Sequence, residues 1–149
     1  MTRNRLIAAL LLSFIGTSGS VHAAAAPDRS IHYRQNVFGL IGWNFGAVAD
    51  MVRDKRPWDA AEVARRAERI AQLSKLTDEA FPAGSDSGAV TEAKAEIWTD
   101  GADFKVKLDD FLREADALAA SAKGSDVAAI KAQFGKTGGT CKACHDKYK

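Results

Sequence analysis

Residues 97–122 read IWTDGADFKVKLDDFLREADALAASA, and Ile97, Gly101, Phe104, Leu108, Phe111, Ala115, Leu118 and Ala122 recur in steps of four and three. That spacing is one face of an α-helix. It decides the fold class, because three other segments repeat it and no alternating run rich in Val, Ile and Thr competes. Downstream, Gly124 ends the stripe. Ser125 or Asp126 then opens a last helix that aligns Ile130, Phe134, Thr137, Cys141, Cys144 and Tyr148. Upstream, residues 82–91 (PAGSDSGAVT) form the one long polar connection. Before it, Asp59-Ala-Ala-Glu62 reads as a capping box opening a helix with Val63, Ala67, Ile70, Leu73, Thr77 and Phe81 inside, stopped by Pro82 and Gly84. The first helix starts near Ser30, carries Arg34, Phe38, Ile41, Phe45, Val48 and Val52, and ends before Pro57. Four such helices pack most simply as an all-α, antiparallel four-helix bundle with crossing angles of about 20°.

The chain opens Met-Thr-Arg-Asn-Arg and continues with an apolar run from Leu6 to Ile15. This is the pattern of a secretory signal, and Val21-His22-Ala23 offers a small-x-small cleavage site. The expected organisation is a signal peptide over 1–23 and one domain over 24–149. The apolar run is too short for the roughly 20 residues that a helical membrane anchor needs, so export to the periplasm and release are expected. Removing Arg3 and Arg5 takes the formal charge from +2 to zero. No basic tract interleaved with aromatics remains, which argues against a nucleic-acid partner.

The chain has only two cysteines, and both lie in Cys141-Lys142-Ala143-Cys144-His145. C-x-x-C-H is the attachment motif for c-type haem. On a helix the two sulfurs emerge on one side and can form thioethers to the two vinyl groups at one edge of a porphyrin, and the next residue, His145, can bring its imidazole to the iron. Gly138 and Gly139, just before, would let the macrocycle lie close to the backbone. Other readings each lack something. A thioredoxin-like C-x-x-C sits near a βαβ unit. A structural zinc site needs four ligands, and the expected mature chain adds only His32 to these three. A disulfide leaves His145 without a role, and a bundle with nothing inside fits the periodicity but ignores the motif.

With C-x-x-C-H on its last helix, Tyr33-Arg34-Gln35 in its first and Glu96-Ile97-Trp98 at the start of its third, the sequence resembles cytochrome c′, the class II c-type cytochromes. The likeness covers the whole chain after the signal. It implies a four-helix bundle with one haem c, bound covalently through Cys141 and Cys144, with His145 as the axial iron ligand. It implies Arg34 and Gln35 near the haem propionates, together with Thr91 or Glu92 from the connection before the third helix. It also implies a homodimer through the first two helices and a pentacoordinate iron. The family usually carries an arginine four residues after the axial histidine; here the residue is Lys149, which shields that face less well.

Members of the family that are six-coordinate place a methionine on the inner face of the first helix, where this chain has Phe38. The one methionine after the signal, Met51, lies about 20 Å further along the helix and on the opposite side. His32 also falls off the Phe38 face. The distal side of the haem is therefore expected to be an apolar pocket suited to nitric oxide or carbon monoxide rather than a peroxidase site, and the protein is not expected to be an enzyme. A one-electron carrier serving a periplasmic redox partner is the alternative.

Overall fold

The computed structural model describes residues 26–149; the expected signal segment lies outside the described residues. Five α-helices and one 3-10 turn account for the regular structure there, with no strand among the described residues. Helix α1 (Pro27–Val52) begins slightly before the expected Ser30, because Pro27 occupies the first turn, where its missing N–H leaves no bond unmade. Helix α2 (Ala60–Ser74) opens as the sequence indicates: the Asp59 carboxylate accepts from the Glu62 backbone N–H at 2.9 Å. The Glu62 side chain does not complete the box. It turns to Arg66 at 2.7 Å and Arg56 at 2.9 Å.

The second stripe outlasts its helix. α2 stops at Ser74, and a 3-10 turn at Asp78–Ala80 follows. The cause is local: the Ser74 hydroxyl donates to the Ala71 carbonyl at 2.9 Å and the Thr77 hydroxyl to the Ser74 carbonyl at 2.6 Å. Such hydroxyls compete with the helical ladder. Thr77 and Phe81 nonetheless stay on the inner side, Thr77 fully buried.

The expected third helix is two helices, α3 (Glu96–Thr99) and α4 (Gly101–Ser121), separated at Asp100, whose φ of −119° and ψ of 48° leave the helical region. The break turns Gly101 outward, off the face assigned to it, while Ile97, Phe104, Leu108 and Phe111 remain buried. Its reason lies across the bundle, where the Asp100 carboxylate accepts from Lys147 at 2.6 Å. Helix α5 (Val127–Tyr148) is capped by Asp126, which accepts from the Ala129 N–H at 3.0 Å, and it runs through the whole C-x-x-C-H motif.

Helix α1 packs on α2, α2 on α4 and α4 on α5, and the stack of Phe45 on Phe134 joins α1 to α5. Its main core joins Ile41 and Val48, Val63 and Ile70, Phe111 and Leu118, and Ile130 and Phe134. A second, smaller cluster of Ile97, Phe104, Leu108 and Tyr148, with Phe81 and Cys144 against it, sits at the other end. No helix among the described residues is long and apolar enough to cross a membrane.

Candidate functional site

Between these two clusters the bundle is hollow. A cavity of about 710 Å³ opens between α1, the connection after Phe81, α4 and the last turns of α5. This lies within the usual range of cofactor sites. Cys141, Cys144 and His145 line it from α5, Phe38, Arg34 and Gln35 from α1, and Thr91 and Glu92 from the connection. The fold thus gathers all eight residues singled out in the sequence around one space. Met51 is buried in the main core and His32 is exposed, and neither reaches the cavity.

Helical geometry sets the motif. Cys141 and Cys144 lie one turn apart and half-buried, unpaired with each other. Burial pushes both thiols up, so they rest protonated. His145 keeps contact with solvent, but partial burial, and then the Lys149 ammonium, hold its imidazole below the usual histidine range. A neutral imidazole is the form that ligates metals. Among the described residues no three side chains of His, Cys, Asp and Glu converge as a metal cluster.

Arg34 is only 4% exposed and its donors are committed to the chain itself. Nη1 donates to the Ala80 carbonyl at 3.2 Å and Ser85 Oγ at 3.3 Å. Nη2 donates to the Ser85 carbonyl at 3.1 Å and Thr91 Oγ1 at 3.2 Å. Its guanidinium also lies over the Phe81 ring at 5.0 Å and the Trp98 ring at 5.7 Å. Gln35 does the same kind of work, donating to the Val90 carbonyl at 2.8 Å. Both residues line the cavity by fastening the connection that walls it. Lys149 is tethered too, through Glu92 at 2.9 Å, so the terminal lysine is tied to the cavity rim.

The two glycines before the motif divide their roles. A Cβ on Gly138 would meet Phe45 Cζ at 3.2 Å, whereas one on Gly139 would meet nothing within 4 Å. Gly138 therefore makes room for Phe45, which stacks on Phe134 with centroids 4.1 Å apart. Neither glycine lines the cavity, in contrast to the sequence reading, which gave both to the macrocycle. That reading also missed an aromatic wall: Phe81 meets Phe104 edge-on at 4.8 Å, and Phe104 meets Tyr148 at 5.2 Å. All three residues stood on inward stripes, at the level of the motif, which was the signal available.

The residues fit a covalently bound haem. A large apolar hollow has two unpaired thiols on one side, one turn apart on the same helix, and a neutral imidazole beside them. The comparisons agree. A family model described as Cytochrome C' matches residues 29–149. Cytochrome c' of Rubrivivax gelatinosus is 47% identical over 123 residues, covering 83% of this chain and 95% of the relative. The solved cytochrome c prime from Shewanella frigidimarina is 50% identical, with a TM-score of 0.82, over 85% of this chain and 98% of that one. A variant of cytochrome c prime from Alcaligenes xylosoxidans, solved as its nitric oxide complex, is 37% identical with a TM-score of 0.77, over 84% of this chain and 97% of that one. The chain belongs to the cytochrome c′ family, four-helix-bundle proteins that carry covalently attached haem c.

Proposed function

We propose that this chain is an exported periplasmic monohaem cytochrome that binds small neutral gases, nitric oxide or carbon monoxide, rather than an enzyme. In this reading Cys141 and Cys144 carry the thioethers, His145 is the single protein ligand to iron, and Phe38 walls the side where gas enters. The observation that carries it is the composition of the cavity wall: among the described residues it holds one imidazole, His145, and no thioether. Haem supplies a ferrous iron that takes up a diatomic ligand. The chain's own residues then select. Phe38, with Phe81 edge-on to it at 6.0 Å, offers an apolar surface without a hydrogen-bond donor. Such a wall favours neutral diatomics over anions and stabilises no bound dioxygen or peroxide. The nitric oxide complex of the Alcaligenes xylosoxidans relative lends chemical precedent. Titration of the ferrous protein with nitric oxide tests the reading; a protein whose spectrum ignores the gas contradicts it.

Electron exchange with a periplasmic redox partner is the second reading, favoured by the exposure of Lys142, Ala143 and His145 at the attachment site. Rapid reduction by such a partner, with indifference to gas, would select it. The organisation into a signal over 1–23 and a domain over 24–149 is checked by N-terminal sequencing of the periplasmic protein. A homodimer through α1 and α2 is supported by the outer face of α1, where Trp43 is 74% and Leu40 52% exposed. Sedimentation at several concentrations checks it.

A further inference from the structure

The last turn of α5 is fastened to the start of α4 and to the connection before α3 by several bonds. Tyr148 donates its phenol hydrogen to Asp103 Oδ2 at 2.7 Å, and Lys147 donates to the same oxygen at 2.9 Å and to Asp100 Oδ2 at 2.6 Å. The Tyr148 carbonyl accepts from the Lys94 backbone N–H at 3.0 Å. Its ring stands edge-on to Phe104 and is only 2% exposed. Asp100 occupies the N-cap position of α4 but makes no capping bond there, because its carboxylate faces Lys147 instead. The helix break at Asp100 brings both carboxylates to this spot. There the positive end of α4 stabilises them while the negative end of α5 receives the lysine.

Lys147 and Tyr148 lie two and three positions after His145, and Tyr148 lines the same cavity about one turn further along the helix. A side chain on a final helical turn inherits that turn's freedom. We infer that Asp103 is a positioning residue for His145: through Tyr148 and Lys147 it locks the terminal turn of α5 and so fixes the direction from which the imidazole meets the iron. This rests on His145 being the iron ligand, as proposed above. Partners that orient a ligating histidine commonly tune a metal site by 10–100-fold.

The test uses the ferrous holoprotein and the iron–histidine stretching band in its resonance Raman spectrum, with Asp103→Asn, Asp103→Ala and the conservative Tyr148→Phe. The expected result is a displaced or broadened band in all three, and carbon monoxide dissociation altered about tenfold, at the lower end of that range. Covalent haem content and helicity should stay unchanged. Asp109→Asn, which removes an exposed partner of Lys105 on the same helix, should leave the band in place. Folded, haem-loaded variants with the wild-type band would overturn the inference, and Tyr148→Phe carries the test if either Asp103 variant fails to fold. A wild-type protein with no iron–histidine band would overturn the ligand assignment itself, a separate outcome.

Discussion

Arg34 on α1 and Thr91, 57 positions later, are joined by a hydrogen bond of 3.2 Å from the guanidinium to the hydroxyl. This bond and its three companions hold the connection between α2 and α3 against the cavity. Replacing Arg34 by methionine keeps the bulk but leaves the Ala80 and Ser85 carbonyls without this donor. The expected loss is about 2–3 kcal/mol, in the range for buried groups deprived of a partner. Urea denaturation measures it, and limited proteolysis should find new cuts within residues 81–93.

Gly138 and Gly139 should respond oppositely to alanine. At Gly139 the added methyl meets open space, so the helix-propensity gain of about 1 kcal/mol should appear in full. At Gly138 the methyl presses on Phe45 and disturbs its stack on Phe134, so the gain should vanish or reverse. Parallel thermal denaturation of the two variants checks the contrast.

Glu62 ties the start of α2 to Arg66 and Arg56, and the hydrogen bonds from these two arginines hold its carboxyl below the usual carboxylate range. A depressed folded pKa adds stability that is present above the unfolded value of about 4.3 and disappears as pH falls through the folded value. Glu62→Gln should therefore be less stable than the parent at pH 7, and the gap should close in acid. Denaturation midpoints at pH 7, 4 and 3 decide it.

Changing Cys141 and Cys144 together to serine should abolish covalent haem and leave a hollow apolar centre, which a packed core does not tolerate well. The expected product is colourless after acid-acetone extraction, melts earlier and binds a hydrophobic dye. A red, extraction-resistant protein would contradict the attachment assignment.

The bundle was legible because its signals are local. The periodic faces, the caps at Asp59 and Asp126 and the C-x-x-C-H spacing each depend on residues within a turn or two of one another. What the sequence concealed depends on distant partners. The break at Asp100 follows from Lys147 across the bundle, and the early end of α2 from hydroxyls of Ser74 and Thr77 that choose the backbone. Arg34 stood on the inner stripe, so its burial was readable. That its donors serve the connection was not, because their acceptors lie 46 to 57 residues away.

The most direct test of the account is the optical spectrum of the purified protein: oxidised, reduced, and reduced under nitric oxide or carbon monoxide. An open iron beside Phe38 predicts a broad high-spin Soret band that shifts on exposure to gas, and conversion toward a low-spin spectrum when Phe38 is replaced by methionine. Sharp low-spin bands in the parent protein, unchanged by either gas, would reveal a second axial ligand and contradict it.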